Sequence, residues 1–136
     1  MPEVITLLYE TLLDEAYKEG LVVKEKPLQY NDGRIKGNRI AIRESIETTK
    51  EKACILAEEL GHYHTTVGNI LDQTNTGNRK QELTARKWAY NKVVPEEKIS
   101  EAISAGYTEV WEIADHLDVD EKFLREALKY YGILDI

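Results

Sequence analysis

Five consecutive residues, Glu58-Glu59-Leu60-Gly61-His62, carry the strongest chemical signal in the chain. On a helix, positions i and i+4 lie one above the other, so Glu58 and His62 can grip one metal ion from the same face. Glu59, beside the first of them, is a carboxylate placed to take a proton from a metal-activated water. The order is that of H-E-x-x-H with glutamate in the first position. Glutamate is a legitimate zinc ligand, with a metal–oxygen distance close to that of an imidazole nitrogen. The competing reading is a solvated acidic face, Glu58-Glu59, beside a lone polar His62.

A catalytic zinc takes three protein ligands and keeps one position open. The third ligand must come from outside the pentapeptide. His64 lies two residues beyond His62, about 200° round a continuing helix, and only a break at Tyr63 would bring it back. Glu82 is better placed, because a second helix over Gln81–Ala89 could pack across the first and lower it onto the site. An oxyanion stabiliser is also needed. Tyr63, His64 and Tyr90 are candidates between which the residues do not choose, and each has a plain packing or surface reading beside it. Cys54, one turn before Glu58, shares its face; we expect a buried packing role for it, with a fourth soft ligand as the alternative. His116 has no partner at ligand spacing and reads as surface or interface, while helical periodicity puts Tyr131 in the core.

These residues need rigid elements to position them. Leu7, Leu8, Leu12, Leu13 and Ala16 recur at helical spacing before Gly20, which predicts a first amphipathic helix. Leu21-Val22-Val23, then Ile35, Ile40 and Ile42 interleaved with charges, predict a small antiparallel sheet over residues 21–43, with turns at Asn31-Asp32-Gly33 and Gly37-Asn38. Thr48-Thr-Lys-Glu51 is a capping box that starts a helix near Thr49. Ala53, Leu56, Ala57 and Leu60 supply its apolar stripe, so the pentapeptide falls mid-helix. Residues 65–78 are polar and turn-rich around Asn75-Thr-Gly-Asn78. A helix resumes near Arg79 and ends before Pro95; Pro95 and Gly106 bracket the next. Thr108 caps one helix, and a last helix carries Phe123, Leu124, Ala127 and Leu128.

With both motifs on helices, the chain resembles the ImmA/IrrE family of metallopeptidases, particularly its short members on phages and mobile elements. The matching residues run from Lys52 through Glu58, Glu59 and His62 to Tyr63, then Glu82-Leu-Thr-Ala85 and Trp88-Ala89. The family pattern is H-E-x-x-H followed by E-x-x-A-x-x-F-A, and the likeness covers roughly residues 1–130. It implies an α+β fold: a mainly helical, zincin-like metallopeptidase core over 1–94, with the small antiparallel sheet beside the active-site helix. A helix-turn-helix-like tail over 95–136 would help recognise substrate. It implies Glu58, His62 and Glu82 as metal ligands and Glu59 as general base. It further implies a protein substrate, a helix-turn-helix transcriptional repressor encoded nearby on a mobile element. The departure is Glu58, where the family has histidine. A Glu-His-Glu set carries two negative charges instead of one, which makes zinc a poorer Lewis acid and tilts selectivity toward harder ions such as Mn²⁺. A protein that had lost chemistry would instead sequester a repressor on the same scaffold without cutting it.

Composition agrees with this class. The 136 residues are 42% hydrophobic and 32% charged, with three prolines, as expected of one soluble globular domain. No apolar run nears the roughly 20 residues that span a bilayer. Met1–Thr6 has no secretion signal, and a single cysteine excludes an intramolecular disulfide, so a cytoplasmic setting is expected. The net charge of −7 disfavours nucleic-acid binding, which rests on neutralising phosphates. The tail's helix pair argues the same way: residues 107–136 hold eight acids against three bases, and two acids open the helix that would enter a groove.

Overall fold

The structure, a computed structural model, describes residues 7–66 and 79–133. The turn-rich stretch expected around Asn75–Asn78, the segment Met1–Thr6 and Asp135 lie outside the described residues. The described chain runs α1 (Leu7–Lys18), β1 (Val22–Lys26), β2 (Gly33–Lys36), β3 (Arg39–Arg43), α2 (Thr49–Thr65), α3 (Arg79–Val93), α4 (Glu96–Ser104), α5 (Val110–Leu117) and α6 (Glu121–Tyr131). The α+β layout is as expected from the sequence.

α2 begins where its cap predicts. The Thr48 hydroxyl accepts the Glu51 backbone N–H at 3.1 Å and donates to the Glu51 carboxylate at 3.2 Å. Its apolar stripe, Ala53, Leu56, Ala57 and Leu60, is buried. Ile35, Ile40 and Ile42, on the inner face of the sheet, belong to the same core, as do Leu12 and Ala16 of α1. The core continues without a break into Ile99, Ile113, Phe123, Leu124 and Leu128 of the carboxy-terminal helices.

The sheet corrects one expectation. It is mixed, in the order β1-β3-β2, with β1 parallel to the central β3 and only β2 antiparallel to it. Two hydrogen bonds explain the direction of β1. The Val22 N–H donates to the Asn38 carbonyl at 2.8 Å, and the Asn38 side-chain amide donates to the Gly20 carbonyl at 3.3 Å. The start of β1 is thereby tied to the start of β3, and the two run the same way. The true hairpin is at Gly37-Asn38, where Gly37 has φ +60°, as a first central hairpin position demands. Asn31-Asp32-Gly33 joins no paired strands. It ends a segment crossing from β1 to the opposite edge, held by Arg43, whose guanidinium donates to the Leu28 carbonyl at 2.8 Å and to Asp32 at 3.2 Å.

In the tail, the cap of α5 falls one residue later than expected. Glu109, not Thr108, occupies the cap, and the Glu112 carboxylate accepts the backbone N–H of Thr108 at 3.2 Å and of Glu109 at 3.1 Å. Asp120 caps α6 by accepting the Phe123 N–H at 3.1 Å.

Candidate metal centre

α2 and α3 cross at Gly61 and Ala85. A Cβ on Gly61 would lie 2.4 Å from the Ala85 carbonyl oxygen, so only glycine allows so close an approach. One residue after Gly61, and one turn before Ala85, stand His62 and Glu82. Their Nε2 and Oε2 are 3.5 Å apart. The end of α2 is fixed just beyond them. The Thr65 hydroxyl donates to the Gly61 carbonyl at 2.7 Å, and the Thr66 hydroxyl and N–H both donate to the His62 carbonyl.

Glu58 lies one turn before His62 and keeps about a third of its side chain exposed, at 34%. It lines a cleft of about 380 Å³ whose other walls include Cys54, Arg86, Asp120 and Glu126. Its Oε2 is 3.8 Å from Arg86 Nε. Burial raises its pKa to about 7; Arg86 pulls it down, while Glu82, Glu126 and Asp32 push it up. Glu59 turns to the sheet, and its carboxylate lies so near Gly33 of β2 that a Cβ there would come within 2.8 Å of Oε2. Burial raises its pKa to about 8, with further repulsion from Glu58 and then Glu82. Glu58, Glu59 and Glu82 therefore crowd one another, offset by one guanidinium.

The oxyanion candidates are dispersed. His64 sits 3.0 Å from Glu19 of the α1 end and stacks on Trp88 at 4.9 Å between centroids. Tyr63 meets His64 edge-on at 5.2 Å. Tyr90 is buried between α3 and α6, with ring contacts to Phe123 at 5.2 Å and Tyr130 at 5.5 Å. Burial, with Glu126 next, raises its pKa to about 12. Cys54 is buried as expected, and burial pushes its thiol pKa up. His116 is exposed and stacks on Tyr107.

Sequence reasoning missed Arg86 and the structural parts played by Gly61 and Gly33. Arg86 had a readable signal, standing four residues after Glu82 on the same helix face. Gly61 had one too, as the small residue next to His62.

The donor set suits a divalent cation in kind. Carboxylate oxygen and imidazole nitrogen are both ligands of zinc, and the mutual repulsion of the three carboxylates is what a cation relieves. Among the described residues, however, no group of three His, Cys, Asp or Glu side chains is arranged as a ready-made metal site. His62 and Glu82 meet; Glu58 is turned to Arg86 and would have to rotate from it.

Residues 16–129 match the family model of the IrrE N-terminal-like domain, peptidase family M78, and the chain belongs to that family. Membership carries a metallopeptidase-type function in general, with a divalent metal and a protein substrate. A comparison with curated proteins found no match. No described helix is long and apolar enough to cross a membrane.

Proposed function

We propose that the chain is a metal-dependent endopeptidase in which Glu58, His62 and Glu82 hold the ion and Glu59 is the general base. The observation that carries the reading is the 3.5 Å approach of His62 to Glu82 across two helices, within a family of metallopeptidases. The ion is zinc, with Mn²⁺ the natural competitor for a set rich in carboxylates. When bound, such an ion acidifies water and polarises the scissile carbonyl. Glu59 takes the proton of the attacking water on a carboxylate oxygen and returns it to the leaving amine. The substrate is a protein inside the cell, a helix-turn-helix transcriptional repressor of a phage or mobile element, with the carboxy-terminal helices contributing to its recognition.

A second reading has its own support. Arg86 already neutralises Glu58, and no three-donor group stands ready among the described residues. On that reading the chain binds a repressor without cutting it. Metal analysis of protein purified without chelators, combined with Glu59→Gln, separates the two. The peptidase holds equimolar metal, loses it on His62→Ala or Glu82→Ala, and loses about 10²–10⁴-fold in cleavage on Glu59→Gln while still binding its partner. Absence of metal together with full biological effect of Glu59→Gln overturns the peptidase reading in favour of sequestration.

A further inference from the structure

The outer face of the sheet gathers five basic side chains on a protein whose net charge is −7. Side chains alternate across a strand, so the inward Ile35, Ile40 and Ile42 leave Lys24, Lys26, Arg34, Lys36 and Arg39 pointing to solvent. All five are exposed, and none has an ion-pair partner among the described residues. The acid of β1 does not balance them. Glu25 points inward, accepting from Tyr9 at 2.9 Å and Lys52 at 2.8 Å. Register makes the crowding worse: Lys36 stands directly opposite Arg39, and Arg34 and Lys24 flank Ala41 from either side. Like charges set opposite each other destabilise a sheet, so nothing in the fold itself favours this arrangement.

The face is not uniformly polar. It frames a shallow cavity of about 400 Å³ with Val22, Leu28 and Ala41 among its lining residues. Val22 is 44% exposed. A cationic rim round an aliphatic floor needs a partner with both anionic and apolar groups. We propose that this face docks an acidic segment of a protein partner that carries an aliphatic side chain, bound in extended form. Lys24 and Lys26 stand about 6.6 Å apart along β1, the spacing of alternate side chains in an extended partner chain. A nucleic-acid backbone supplies the charge but no aliphatic group for the floor. A duplex would also run past a patch only about 10 Å wide, over the surface of a chain whose net charge is −7.

The test uses the full chain and three fluorescent or sedimentable probes: a ten-residue peptide of alternating Glu/Asp and Leu, a 20-base-pair DNA duplex, and phosphatidylserine vesicles. A leucine-free peptide of the same charge serves as reference. The expected result is saturable binding of the leucine peptide, about tenfold tighter than the leucine-free one. That binding weakens with salt and is lost in Lys24→Glu/Arg34→Glu/Arg39→Glu. A neutral variant, Lys24→Gln/Arg39→Gln, should bind intermediately, which keeps the test decisive if the reversed variant fails to fold. Failure of the peptide to bind overturns the proposal. So does equal binding by the neutral variant, or tighter binding of DNA or vesicles than of the peptide.

Discussion

Gly61→Ala tests the geometry on which the candidate site depends. A methyl at this position would lie 2.4 Å from the Ala85 carbonyl oxygen and 3.0 Å from its carbon. Ordinary contact starts at 3.4 Å, so the overlap is about 1 Å, and it is with backbone, which has no rotamer to escape into. Two effects oppose each other. Alanine is favoured over glycine inside a helix by about 0.5–1 kcal/mol. Overpacking costs about 1–3 kcal/mol, with the upper end expected where neither side can yield. Overpacking wins, for a net loss of about 2 kcal/mol and a fall in Tm of roughly 6–10 °C in a chain of this size. The same displacement parts His62 from Glu82, now 3.5 Å apart. Metal sites tolerate errors of only about 0.2 Å in ligand distance, so zinc affinity should fall at least about tenfold. Thermal melts in chelator measure the first effect, and competition with a chromophoric zinc chelator the second. A variant that melts at or above the wild type, where helix propensity alone would put it, refutes the argument. So does one that binds zinc as the wild type does.

Three more outcomes follow from the same geometry. Arg86→Gln removes the guanidinium 3.8 Å from Glu58 and frees that carboxylate, so zinc affinity measured by chelator competition should rise; a fall would mean that Arg86 supports the site instead of competing for it. Glu58 and Glu59 have folded pKa values raised to about 7 and about 8, above the ordinary carboxylate value near 4.5. Their contribution to stability is complete below about pH 4.5 and is lost as pH rises through 7–8. The Tm of metal-free protein should therefore drop between pH 5 and pH 8.5, and saturating zinc should flatten that drop by holding both groups ionised. Tyr131→Phe removes the hydroxyl whose one proton is shared between the Val94 carbonyl at 3.0 Å and Asn91 Oδ1 at 3.3 Å. About 1 kcal/mol of stability should go with it, read by denaturant titration, with zinc binding unchanged.

What could be read from the sequence was mostly local. The Thr48–Glu51 cap marks the start of α2, and the spacing of Ala53, Leu56, Ala57 and Leu60 gives its buried face, because both depend on contacts within a few residues. The Glu82-x-x-Ala85 pattern pointed to the crossing helix, and His62 does meet Glu82 there. The mixed sheet could not be read. Alternation of Ile35, Ile40 and Ile42 specifies which side faces the core, but the edge on which β1 joins is decided by the Val22–Asn38 hydrogen bond, between residues 16 apart. The Glu58–Arg86 pair was missed for a similar reason: it spans two helices, and its distance depends on how closely Gly61 lets them approach. The basic face emerges only when three strands are laid in register.

The charges at the helix crossing connect packing to function. Three carboxylates, Glu58, Glu59 and Glu82, stand against one guanidinium, which leaves an excess of two negative charges when all are ionised and His62 is neutral. A site so placed has two ways to reach balance. It can take up protons, and the raised pKa values of Glu58 and Glu59 express that tendency. It can also take up one divalent cation, which releases those protons again. Histidine in place of Glu58 would remove one negative charge and with it the reason for Arg86 to stand there. Glu58→His alone should therefore leave Arg86 facing a cation with too little counter-charge, whereas Glu58→His with Arg86→Gln restores neutrality toward a divalent ion. The double variant should bind zinc more tightly than Glu58→His alone. Additive effects in that double-mutant cycle would show that Glu58 and Arg86 act independently, against the coupling that their 3.8 Å separation implies.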